Sequence, residues 1–202
     1  MALKRGQDFF HFLIFFLKLL PATLQQRGLT CFFGKEMVEV NMSHSTDSPS
    51  TDDPYQLSRF VLAQQDDFER ALAEIQSGKK LTHWMWYIFP QIDGLAFSPT
   101  SKHYAIKSVE EAKAYLNHPI LEPRLLECAE AALRVEGRSA RDIFGSPDDL
   151  KLRSCATLFA CVSPPGSVFE RLLEKYYRGE RDEKTLRLLG ISSDAGEGAD
   201  ER

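Results

Sequence analysis

The chain has 202 residues, of which 43% are hydrophobic and 27% charged, and its formal net charge is −4, which suits one globular domain with a sizeable core plus tails. The charge is uneven: residues 1–41 balance to +2, residues 42–54 and 191–202 to −3 each, and residues 55–190 carry 19 basic against 19 acidic side chains. A neutral central domain lacks the clustered positive charge that phosphate-backbone binding requires, so nucleic acid is excluded as a general partner.

At the N-terminus, "MALKRGQDFFHFLIFFLKLLPA" sets Lys4 and Arg5 ahead of an apolar run from Phe9 to Leu20, with Ala22 just beyond. That is the outline of a targeting segment. His11 and Lys18 interrupt the run, and it falls short of the roughly 20 residues needed to span a bilayer. No stable membrane span is therefore expected. Residues 1–53 read as an N-terminal extension and polar linker, disordered apart from a short apolar helix. Met42 opens "MSHSTDSPSTDDP", a composition suited to a tail. A cytoplasmic protein is expected, with an N-terminal targeting segment as the alternative.

From Pro54 onward helix signals recur at short intervals. Asp53 caps and Pro54 opens "YQLSRFVLAQ", with Leu57, Phe60 and Val61 on one face. Asp66 or Asp67 starts "FERALAEIQS", whose Phe68, Ala71, Leu72 and Ile75 fall at i, i+3, i+4 and i+7, and Gly78 closes it. Thr82 caps a short helix "HWMWYIF" that Pro90 ends. Ser108 and Glu111 form a capping box for "SVEEAKAYL". A longer helix runs from Ile120 to Gly137, and Ser139 begins a short piece ending at Gly145. Ser146, Pro147 and Asp149 precede "LKLRSCATLFACV", and "SVFERLLEKYYRG" and "DEKTLRLLG" close the series at glycines. No strand-like alternation and no repeat appears. The spacing predicts a single compact all-α domain of seven or eight short helices over residues 54–190, followed by an acidic disordered tail, 191–202. Cys31, Cys128, Cys155 and Cys161 are scattered, with no C-x-x-C and no zinc-like spacing, so reduced thiols and no metal are expected.

One stretch invites a functional reading. "HWMWYIF" holds both tryptophans and is apolar all round, so it must be largely enclosed. Burial of its rings alone accounts for much of it. The connector that follows, "PQIDGLAFSPTSKHY", exceeds the usual about 2–8 residues between helices in a bundle and is rich in polar groups beside that aromatic wall. Ser98-Pro99 reads as a helix start, where free amides favour an anion. Aromatic faces with an amide suit a planar ligand. The candidate ligand-binding residues are His83, Trp84, Trp86, Gln91, Ser98, His103, Tyr104 and Lys151, with Arg153 as the alternative to Lys151. The competing reading is a packing cluster under a structured loop, with the charges of "SPDDLKLRSC" solvated on a helix start. No G-x-S-x-G, P-loop, G-x-G-x-x-G or H-E-x-x-H occurs. No cofactor is expected and no catalytic acid or base stands out, which leaves open whether the protein is an enzyme. Asp149 is a candidate to orient His83.

The strings "DPYQLSRFVLAQ", "HWMWYIFPQIDGLAFSPTSKHYAI", "EEAKAYLNHPILEPRLLEC", "IFGSPDDLKLRSCATLFA" and "VFERLLEKYYRGERDEKTLRLL" together resemble domain-of-unknown-function family 1810, the Rv1873-like helical proteins, across residues 53–189. The resemblance implies a compact all-α fold and no established activity. The calpastatin label often attached to such sequences does not suit it, since calpastatins are disordered, repetitive inhibitors. A shorter stretch, "DGLAFSPTSKHYAI", is similar to the T-S-E-H-Y segment of the NADAR N-glycosidases through Thr100, Ser101, His103 and Tyr104. Lys102 stands where those enzymes carry a functional glutamate, which puts that chemistry in doubt. Three functional readings follow: a small-molecule-binding domain for a planar or anionic, nucleotide-like ligand at residues 83–104; a non-catalytic protein-interaction module whose partner is unknown; and an N-glycosidase-like enzyme acting on ADP-ribose-type nucleotides.

Overall fold

The computed structural model describes residues 53–191. The expected N-terminal extension with its apolar run, and the acidic tail from residue 192, lie outside the described residues. Ten helices follow one another among the described residues: α1 Ser58–Gln65, α2 Phe68–Gln76, α3 Met85–Ile88, α4 Pro99–His103, α5 Val109–Leu116, α6 Leu121–Arg134, α7 Ala140–Phe144, α8 Asp148–Ala160, α9 Val168–Tyr177 and α10 Glu183–Leu188. Residues 53–191 are all-α, as their periodicity predicts. The number exceeds seven or eight because short pieces such as α4, within the expected connector, stand as helices of their own. Among the described residues no helix is long and apolar enough to cross a membrane.

Helix α8 is the axis of the domain. From Leu152 to Ala160 only Arg153 is not buried, as expected of a helix that is enclosed on all sides. α7, α9 and α10 pack on it, and α6 joins α2 to α9. The buried residues of α2 are the predicted set, Phe68, Ala71, Leu72 and Ile75, together with Glu74. A line of rings runs through the middle. Phe60 meets Tyr115 edge-on at 5.1 Å, Tyr115 meets Phe159 at 5.4 Å, and Phe159 stacks on Phe169 at 5.4 Å. Each such burial is worth roughly 1.5–3 kcal/mol, and Gln64 Nε2 satisfies the enclosed Tyr115 hydroxyl at 3.1 Å.

The chain enters the domain differently from its pattern. Gln56 adopts a left-handed φ of 53°, and α1 begins only at Ser58. The Asp53 carboxylate still caps it, accepting from Leu57 N at 2.7 Å and Ser58 N at 2.9 Å. Arg59 then ties this start to the far end of the 90–106 connector. Its Nε donates to His103 O, Nη1 to Tyr55 O and Gln56 O, and Nη2 to Ala105 O and Glu111. A guanidinium has five N–H groups, and all five are used. The predicted capping box is accordingly half formed. Ser108 Oγ accepts from Glu111 N at 3.1 Å, but the Glu111 carboxylate turns to Arg59 and to Lys107 N. A parallel bridge, Asp93 N to Ile106 O and Ile106 N to Gln91 O at 2.8 Å each, stitches the connector to itself.

Candidate ligand cleft

The two tryptophans have different fates. Glu74, near the end of α2, turns its carboxylate inward and accepts four hydrogen bonds: Leu81 N at 2.7 Å, Thr82 N at 3.1 Å, Thr82 Oγ1 at 2.7 Å and Trp84 Nε1 at 2.8 Å. Burial alone would raise its pKa, but these donors outweigh it and hold the carboxyl at about 2. Thr82 is thereby drawn to Glu74 instead of capping a helix, and the helix shortens to Met85–Ile88. Trp84 is fully enclosed, with Phe89 and Phe144 each 6.4 Å from its ring centre. It belongs to the core.

Trp86 is half-buried and carries Lys151 over its ring, Nζ lying 4.7 Å from the centroid. Lys151 Nζ also donates to Asp148 Oδ1 at 2.7 Å, while Asp148 Oδ2 receives Lys80 Nζ at 2.7 Å. Lys80 in turn lies 5.2 Å from the ring centre of Trp84. Burial works to raise the Asp148 pKa, and the hydrogen bonds and charges of the two lysines overcome it and lower it. Two ammonium groups thus share one carboxylate between two indoles.

An open cleft of about 690 Å³ lies where the connector meets the start of α8 and the Glu180–Arg187 segment. Gln91, Leu95, Leu150 and Lys151 line it. Arg153, also in the lining, donates to Glu180 Oε2 at 3.0 Å and to the Glu180 and Arg181 carbonyls. Asp182 caps α10 through Thr185 N and Thr185 Oγ1 and receives Ser154 Oγ. Lys184 and Arg187 also line the cleft. Neither makes an ion pair among the described residues. A second recess of about 10 Å³ adjoins through Gln91 and is lined by Trp86, Ser101 and Tyr104, room for about one water-sized probe.

The structure therefore brings together Trp86, Gln91, Tyr104 and Lys151. Arg153 lines the same cleft as Gln91 and Lys151, whereas His83, Trp84, Ser98 and His103 line neither the cleft nor the recess. His83 is exposed, with its carbonyl taken by the Tyr87 hydroxyl at 3.3 Å. No hydrogen bond joins it to Asp149, whose carbonyl instead accepts the Tyr177 hydroxyl. Ser98 is exposed, and its Oγ accepts from Ser101 N at 3.1 Å, so this helix start spends an amide on its own cap. His103 sits edge-on to Tyr104 and lines another hollow, of about 440 Å³, beside Arg59. Sequence reasoning passed over Glu180–Arg187 as a plain helix start. The i, i+3 spacing of Lys184 and Arg187, which puts both on one helix face, was the available signal.

An all-α domain with this arrangement falls within a known class. The chain belongs to the family described as "Protein of unknown function (DUF1810)", whose model matches residues 54–189. It is similar to the conserved hypothetical protein Rv1873 from Mycobacterium tuberculosis. The two are 48% identical, with 69% of this chain and 100% of that one covered and a TM-score of 0.67 to its crystal structure. No curated protein matches the chain.

Proposed function

We propose that the domain binds a small planar or anionic, nucleotide-like ligand in the 690 Å³ cleft where the 83–104 segment meets α8. One observation carries this reading: Lys80 and Lys151 share the single carboxylate of Asp148, and Lys151 is the member on the cleft wall. Surplus positive charge that is partly removed from water is costly unless paired. An anion in the cleft would supply the missing partner. Gln91, reaching both the cleft and the recess behind it, offers an amide for a polar ring edge, and Leu95 and Leu150 offer an apolar seat.

The test is tryptophan fluorescence with thermal shift on the full-length chain, titrated with AMP, NAD and ADP-ribose. With Trp84 enclosed, the response comes chiefly from Trp86. The expected result is a saturable change and a raised Tm, with affinity falling at least about tenfold in Lys151→Gln, the loss of one charge-assisted contact. A flat response from folded protein would overturn the proposal. The second reading, a protein-interaction module, draws on Phe97, which is 80% exposed. It predicts self-association or partner binding that Phe97→Ser abolishes.

A further inference from the structure

We infer that the 440 Å³ hollow beside Arg59 is a second binding site, for a single phosphate group held by Lys102, His103 and Ser108. It shares no lining residue with the cleft or its recess, so it does not depend on what the cleft binds.

The hollow has donors left over. Arg59 spends its five N–H groups on the acceptors around it, the carbonyls of Tyr55, Gln56, His103 and Ala105 and one oxygen of Glu111. The other Glu111 oxygen accepts from Lys107 N at 2.8 Å, and the Lys102 carbonyl accepts from Lys107 Nζ at 3.0 Å. Arg59 is neutralised by Glu111, and Lys107 by Asp93 at 3.0 Å. Lys102 is the lining cation with no ion pair among the described residues. Among the same residues neither ring nitrogen of His103 makes a hydrogen bond, and the Ser108 hydroxyl accepts from Glu111 N but donates to nothing. Three donors, one of them a lasting positive charge, thus border a space whose carboxylate and the carbonyls around Arg59 are already taken. A ligand that satisfies them must bring both acceptors and negative charge. Phosphate offers three strong acceptor oxygens, one for each donor, whereas a carboxylate offers two.

The test is ¹H–¹³C NMR of the histidine rings in the full-length chain at constant pH and ionic strength, titrated with inorganic phosphate, methyl phosphate and acetate. His103→Gln identifies the His103 signal. The expected result is a saturable shift of that signal with a Kd of about 1–10 mM for a phosphate probe, while His83, exposed and outside the hollow, stays unmoved. Lys102→Gln should weaken binding about threefold to fivefold, the worth of an exposed ion pair. Lys184→Gln, in the cleft, should leave it unchanged. Tighter binding of inorganic phosphate marks the free anion as the ligand, and tighter binding of methyl phosphate marks a phosphate ester; both support the site. Acetate binding as tightly as either phosphate, a shift shared by His83, a response unaltered in Lys102→Gln, or no saturable shift at all would overturn it.

Discussion

Replacing Glu74 by glutamine tests how the tryptophan segment is held. The carboxylate receives four donors that converge from Leu81, Thr82 and Trp84, and its pKa falls from 4.5 to about 2. A group with a depressed folded pKa stabilises the fold fully above its unfolded value and loses that stabilisation as pH falls towards the folded one. At about 1.4 kcal/mol per pH unit, the difference amounts to about 3 kcal/mol at pH 7 and about 1.5 kcal/mol at pH 3. Glutamine keeps the shape but has one acceptor oxygen, and its NH2 faces groups that are themselves donors. Urea unfolding of both proteins at pH 7, 4 and 3 should therefore show Glu74→Gln less stable by about 3 kcal/mol at pH 7, the gap narrowing below about pH 4.5. A deficit under about 1 kcal/mol at pH 7, where a charged hydrogen bond is worth about 1.5–3 kcal/mol, would refute this account. A deficit of the same size at pH 3 would refute it as well.

Two further predictions concern groups outside the cleft. Arg59→Met would strand four carbonyls and the buried Glu111 carboxylate. The expected loss is about 3–5 kcal/mol in urea unfolding, and Arg59→Lys should recover only part of it, since an ammonium has three donors against five. Burial pushes the Cys128 thiol up to about 12 and the Cys155 thiol well above its ordinary value. An aromatic disulfide reagent should leave both unlabelled in the native protein and label both in urea, as read by peptide mass spectrometry.

Much of the fold was legible because its signals are local. The i, i+3, i+4 spacing marked the buried face of α2, and serines 108 and 139 cap the helices they precede. The site was half legible. Trp84 and Trp86 are two residues apart, so on a helix they point in nearly opposite directions, yet nothing local tells which faces the core. That choice is made by Glu74, ten positions upstream, and by Lys151, sixty-five downstream. The capping pattern at Ser108 likewise could not show that Glu111 would answer to Arg59, fifty-two residues away. Caps and faces are read along the chain, whereas partners for buried charge are assigned only once helices meet.

The carboxylate shared by Lys80 and Lys151 has an evolutionary consequence. Asparagine at 148 would leave two ammonium groups facing each other, while a neutral residue at 80 would leave the pair at 148 and 151 balanced and the cleft wall without surplus charge. Drift at these three positions is therefore not independent. In relatives that keep the cleft chemistry they should be retained as a set, and in relatives that have abandoned it the loss should begin at position 80 or 151, with Asp148 free to change only afterwards.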